Sequence, residues 1–259
     1  MHELSAVLAI AQRDLVKLLR DRTRLIADLT FPLIFIGVLG TSLQAGFGDA
    51  GEFNFLTFVF TGVLAQTLWQ SSAMGVISLI EDRENDFSQE IFVSPISRYS
   101  IVVGKVLGES LVALPQGIGI VAFGLIIGIP LSLPTLLALV PAVLVITVFG
   151  GAFGVLVLSR LPNRRAATQI FPFIMLPQFF LAGVFNPIDR LPLPLDIASH
   201  IAPMRYAVDL MRNVYYAIHP EPVQVPLAGG MTNLAIIAVL FVLFIGIGTA
   251  FFVRAERNR

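Results

Sequence analysis

The sequence contains no cysteine, and only 13% of its 259 residues are charged. Without a thiol there is no disulfide framework and no thiolate metal site. Histidine is nearly as scarce: His2, His200 and His219 stand far apart, and no HExxH or paired-histidine spacing occurs. A GxxxxGK[ST] phosphate loop is missing, as is a GxSxG nucleophile elbow, and Gly104-Lys105 lacks the glycine-rich strand–loop that would make it one. The expectation is a chain that is no enzyme, holds no metal and does not bind ATP through such a loop. With a formal net charge of zero, bulk charge gives no reason to expect a nucleic-acid partner.

The shortage of charge has the widest consequence. A soluble domain carries about 25% charged residues; this chain is 56% hydrophobic, with a mean hydropathy of +0.85, and could not cover a water-facing surface. It reads as an all-α, multi-pass membrane protein. Six apolar segments, at about 25–45, 55–79, 101–129, 133–158, 166–185 and 231–253, are each near the ~20 residues that cross hydrocarbon. No repeat and no room for a soluble domain are evident, so residues 1–259 form one membrane domain.

Residues 1–24 precede the first span and read as an interfacial helix of the chain rather than a cleavable leader. Over 4–24, Leu4, Val7, Leu8, Ala11, Leu15, Leu18 and Leu19 share one face, with a basic stripe of Arg13, Lys17, Arg20 and Arg24 opposite. Such a helix lies in the interface, its apolar side in lipid and its basic side toward water, lipid phosphates or a partner; the plainer alternative is a basic flank that fixes orientation. Lysine and arginine are retained on the cytoplasmic side of membranes. With both ends inside, fourteen of the 17 basic residues fall inside, and only Arg190, Arg205 and Arg212 fall outside.

That topology makes the polar stretch from Glu81 to Lys105 cytoplasmic. Glu81, Asp82, Arg83, Glu84, Asp86 and Glu90 crowd together, while Phe87 and Ile91 recur at i, i+4, giving a short helix one apolar face. Ser94-Pro95 stops that helix, and Ser97 or Ser100 suits a cap for the next. A docking knob and a solvated loop both fit this pattern.

On the outer side, residues 186–230 are too long for a turn and too apolar for a solvated loop. Two short helices are expected, about 193–201 and 203–217, with Pro203 in a first helical turn and Arg205–Asp209 as an i, i+4 pair. They form a re-entrant or interfacial hairpin, with an ordinary outer lid as the alternative. Gly124xxxGly128 and Gly150xxxGly154 fit close helix packing. Asp28 and Glu109 lie near span ends, four residues after Arg24 and Lys105, and are read as interface pairs.

The combined pattern resembles the membrane subunit of ABC-2 type ATP-binding cassette transporters over nearly the whole chain. Its most specific pieces are Arg83-Glu84 followed by Val93-Ser94-Pro95 with Gly104-Lys105, and the outer stretch Ala202-Pro203-Met204-Arg205-Tyr206-Ala207-Val208-Asp209 with Arg212. Asp86 stands where the family often has glycine, and Gln89 where glutamate is common. The resemblance implies that residues 82–94 are a coupling helix docking an ATPase subunit through Arg83, Glu84, Phe87, Glu90, Ile91, Ser94 and Pro95. It also implies ATP and magnesium on that partner rather than on this chain, and a second copy or a similar membrane subunit. Outward transport across the cell membrane is implied likewise.

Charge-poor spans favour a lipophilic or amphipathic cargo, drug-like or lipid-like, with lipid-linked polysaccharide as the alternative. A channel or secondary transporter would need a polar pathway residue at mid-depth, and an intramembrane enzyme a nucleophile–base pair; neither is expected in these spans.

Overall fold

The computed structural model describes residues 2–47, 53–84, 97–222 and 225–257. Among them every regular element is helical. Helix α1 spans His2–Arg20 and α2 Arg22–Ile34, which continues through a wide π turn (Phe35–Gly40) into α3, Thr41–Phe47. Then follow α4 (Phe55–Gly75), α5 (Ile77–Glu84), α6 (Arg98–Ile126), α7 (Leu133–Leu158), α8 (Arg164–Leu181), α9 (Leu193–Ile201), α10 (Pro203–Tyr216) and α11 (Gly230–Arg257). Side chains start four of them: Asn54, Ser97, Ser132 and Asn163 each accept a backbone N–H three residues on. Of the two serines offered for α6, Ser97 is the cap.

Among the described residues, five helical stretches are long and apolar enough to cross a membrane: Leu25–Gly46, Phe55–Glu81, Tyr99–Ile126, Leu133–Leu158 and Gly230–Phe252. They match five of the six expected spans within a few residues. The sixth, 166–185, is occupied by α8, whose 18 residues begin with Arg164 and Arg165 and which falls short of that apolar threshold. The fold is that of an all-α, multi-pass membrane protein.

Helix α4 is the hub. Its span is 78% buried, against 17% for the first span and 22% for the last, so neighbours surround α4 while the outer two face outward. It packs on α6, α7 and α10 and on the π turn of the first span. Backbone approach sets the α4–α7 contact: a Cβ on Gly150 would come within 2.2 Å of Trp69 O, and one on Gly154 within 2.4 Å of Ala73 O. Trp69 then packs against Phe153, the ring centroids 4.7 Å apart and the planes tilted by 36°. The other expected glycine pair divides. Gly124 receives the Phe60 ring, but Gly128 has φ +86° and open space around it, so it turns the chain after α6 and is no packing seam.

The helix expected over 4–24 ends at Arg20. Asp21 carries the junction, its N–H bonded to Leu18 O and its carbonyl accepting from Leu25 N, so Arg24 belongs to α2 and not to the basic stripe of α1. Nor does α1 give its whole apolar face to lipid. Val7, Ala11 and Leu18 are buried as it packs along α6, while Leu8 and Leu19 stay exposed.

Candidate functional site

At the end of the bundle where α1 meets α6, Gly104 and Gly108 let the two backbones nearly touch. A Cβ on either would stand 3.2 Å from Val7 Cα or 3.0 Å from Ala11 Cα. This crossing seals Lys105 inside: its ammonium lies 2.7 Å from Asp14 Oδ2 and 3.5 Å from Glu109 Oε1, with the side chain 1% exposed. Arg13 holds the other oxygen of Asp14 at 3.0 Å. Buried charges persist only when paired and hydrogen-bonded, and here two carboxylates share two cations. Lys105, expected to pair with Glu109 at the interface, does pair with it, but as a core residue. Glu109, expected at an interface, is buried with it.

Glu109 reaches further. Its carboxylate fills the space that Gly75 leaves, where a Cβ would come within 1.9 Å of Glu109 Oε2. The α4 helix is interrupted at this glycine, and α5 restarts at Ile77. Ser78 Oγ lies 2.7 Å from Glu109 Oε1 and also within reach of the Gly75 carbonyl; its single proton serves one of them at a time. The chain thus has a one-residue break after α4, at Val76 (φ −61°, ψ −16°), packed against Glu109; this candidate hinge leads into α5, which extends to Glu84. Arg83 and Glu84 close α5. Phe87, Glu90, Ile91, Ser94 and Pro95 lie outside the described residues.

Beside the hinge a cleft of about 720 Å³ opens between α2, α4 and α8. At its mouth Glu81 pairs with Arg164 at 2.6 Å and with Lys17 at 4.0 Å. Also lining it are Gln66, Thr67, Gln70 and Ser71 of α4, Asp28 of α2 and Gln116 of α6. Gln66 Nε2 donates to Gln70 Oε1 at 2.6 Å, and Gln116 Nε2 to Asp28 Oδ2 at 3.1 Å. The spans are therefore not free of polar side chains at depth, contrary to expectation. The signal was there to read, since residues 66, 67, 70 and 71 follow i, i+1, i+4, i+5 and must share one helix face. Asp28 belongs to this wall and takes a hydrogen bond from another helix.

At the opposite end the two short outer helices form where expected, with Pro203 in the first turn of α10. Their charges pair differently. Asp209 does not meet Arg205. It accepts from Leu227 N (2.7 Å), Ala228 N (2.9 Å) and Asn233 Nδ2 (2.7 Å), so it binds the approach to α11. Arg205 instead reaches Ser199 Oγ and lies 3.8 Å from Asp196. Arg212 is buried. It donates to Gly183 O at 2.8 Å and Phe58 O at 3.3 Å, and lies 3.7 Å over the Phe58 ring. Of the three basic residues assigned to the outside, only Arg190 is a surface charge, 94% exposed beside Asp189. Past α10, burial raises the Glu221 carboxyl above its ordinary range.

Comparison with known proteins bears on both ends. The model of the ABC-2 type transporter family matches residues 5–216, which takes in α1, the hinge, the cleft and the outer pair. A putative transport permease, ycf38, of Cyanophora paradoxa is 28% identical over 212 residues, covering 80% of this chain and 72% of that protein. Nodulation protein J of Rhizobium leguminosarum bv. trifolii is 25% identical over 198 residues, covering 76% of this chain and 75% of its own length. The probable multidrug ABC transporter permease YbhR of Escherichia coli (strain K12) is 25% identical over 143 residues, 54% of this chain and 38% of that protein. By the extent of the family match, the chain belongs to the ABC-2 type transporter family, as a transport permease subunit.

Proposed function

We propose that this permease exports a lipophilic or amphipathic compound, driven by a separate ATPase that docks on the cytoplasmic side through residues 82–94. Membership of the family implies an ATP-binding cassette partner and a paired membrane subunit; ATP and magnesium then belong to that partner. In this reading α8 supplies the remaining span, both termini are cytoplasmic, and the cleft beside α4 is this subunit's share of the pathway.

The observation that carries the proposal is the hinged arm. Helix α5 leaves α4 at Gly75–Val76 and leads into segment 85–96, so a push on that segment is delivered at the hinge. Glu109 braces the hinge, Lys105 ties Glu109 to Asp14, and α1 is thereby joined to the same joint. The hinge also borders the cleft, which is lined by Gly75 and Ser78.

The test is association with the ATPase. Phe87 and Ile91 are the expected anchors, and burying such a side chain is worth about 1.5–3 kcal/mol, or roughly 10- to 150-fold in Kd. Phe87→Ala or Ile91→Ala should weaken co-purification of the ATPase and lower transport per ATP hydrolysed. Arg190→Gln, on the far side, should leave both unchanged. Full assembly and transport by both alanine variants would refute docking through this segment.

A further inference from the structure

Three helices that do not follow one another in the chain meet at the mouth of the cleft, and one carboxylate joins them. Glu81 of α5 places Oε1 2.6 Å from Arg164 of α8 and Oε2 4.0 Å from Lys17 of α1. All three side chains line the cleft. The carboxylate is partly covered, while both cations stand largely in the open. Arg164 also begins α8, where unpaired backbone N–H groups disfavour a cation and favour a nearby carboxylate.

The backbone shows what this contact restrains. Helix α5 starts one residue after the break at Val76, and its Leu79 and Ile80 are buried as it packs on α7 and α8. Glu81 follows Val76 by five residues, about 8 Å along the helix axis. A swing of α5 through roughly 30° about Val76 carries Glu81 about 4 Å, enough to end its direct contact with Arg164. The rest of the cleft need not follow. Gln66, Thr67, Gln70 and Ser71 belong to α4, before the break, and α1 is fixed to α6 through Asp14 and Lys105. An ion pair with exposed members is weak, so it holds one shape without committing the chain to it. The buried Asp14–Lys105 pair, by contrast, is a permanent tie.

We infer that Glu81 is the latch of the cleft. Paired with Arg164 and Lys17, it draws α5 across the mouth and narrows the approach to the polar stripe of α4. Parted from them, it lets the mouth widen. Glu81 and Arg164 are positioning residues in this role, and neither has to touch cargo. The inference deepens the export reading and rests on it for the force that swings α5, but the width of the mouth can be measured with no ATPase present.

The experiment uses the purified full chain in lipid nanodiscs, with Ser71→Cys as its single thiol, since the chain has no cysteine of its own. Ser71 lines the cleft and takes no part in the ion pairs. The probe is a short methoxy-poly(ethylene glycol) maleimide, uncharged so that altered local charge does not bias its rate. Glu81→Gln and Arg164→Gln should each speed labelling of Ser71→Cys about two- to fivefold, the range that a partly exposed ion pair commands. Because Glu81→Gln already removes the contact, adding Arg164→Gln to it should bring no further gain. Lys17→Gln, which loses only the 4.0 Å contact, should have the smaller effect. A second reporter, Ser110→Cys, is buried and is not among the residues lining the cleft, and its labelling should keep the wild-type rate in every variant. Unchanged labelling of Ser71→Cys in both single variants would overturn the inference and leave export standing. So would additive gains in the double variant, or faster labelling of Ser110→Cys, which reports a generally loosened fold. Faster labelling confined to Ser71→Cys, with no ATP-dependent movement of cargo by the reconstituted complex, would keep the latch and remove the export reading.

Discussion

Replacing Lys105 with methionine keeps the stem of the side chain and removes its charge. Asp14 would retain Arg13 at 3.0 Å, but Glu109, 4% exposed, would lose the ammonium 3.5 Å from its carboxylate. Breaking a buried pair from one side costs about 3–5 kcal/mol, because the abandoned charge stays desolvated. Arg13 moderates the loss at Asp14, so the lower end applies, about 3 kcal/mol. For a chain of this size that corresponds to a fall of roughly 6–12 °C in Tm. The single tryptophan, Trp69, is fully buried in α4 and reports the transition by fluorescence at a fixed scan rate. Lys105→Met with Glu109→Gln removes the stranded charge and should recover at least half of the fall. A single variant within about 2 °C of wild type, or a double variant no better than the single, would refute the account of these residues as one buried unit.

Gly150→Ala would place a methyl group against Trp69 O and should separate α4 from α7, costing about 1–3 kcal/mol or more in the same melt; an unchanged Tm would contradict that contact. Because the chain has no cysteine, single cysteines can be labelled cleanly. On the proposed topology, a membrane-impermeant maleimide should reach position 190 from outside but not position 160 or 257, and the opposite pattern would invert the topology. The raised Glu221 carboxyl means that the folded chain holds this proton more tightly than the unfolded one, so the charged form opposes folding once pH exceeds the raised value and the effect vanishes below the ordinary glutamate range. Glu221→Gln should therefore raise Tm slightly at neutral pH and leave it unchanged in acid; a lowered Tm at neutral pH would mean that the carboxylate has a favourable partner.

Helix existence was legible because apolar runs of span length and their polar breaks follow directly from composition. The starts of the pair at 193–201 and 203–216 could be read directly, since prolines at 192, 194 and 203 mark where helices can begin. Pairing between charges was legible only in part: Lys105 and Glu109 pair as their spacing suggests, though in the core. Arg205 and Asp209 are neighbours on a helix surface, but Asp209 is satisfied by residues 18 to 24 positions away, which only the tertiary fold brings near. Lys105 and Asp14 are separated by 91 positions, and the clue lay in Gly104 and Gly108, two glycines four apart around a lysine. The polar wall of the cleft was in plain view as Gln66, Thr67, Gln70 and Ser71. Averaging hydropathy over a window hides such a stripe, because its apolar neighbours outweigh it.

The Asp209 tie also orders events in time. Its partners at 227, 228 and 233 are made after it, and Asn233 is 24 residues later in the chain. At about 5–20 residues per second, the carboxylate waits roughly one to five seconds for them during synthesis. Until then its burial is uncompensated, so α10 has reason to stay near water. The arrival of α11 supplies the missing donors and seats both helices in one step. Helix α11 is thus the one that completes this tie, and a chain cut short before it leaves the Asp209 carboxylate without those donors while Arg212 still anchors α10 to Phe58 and Gly183.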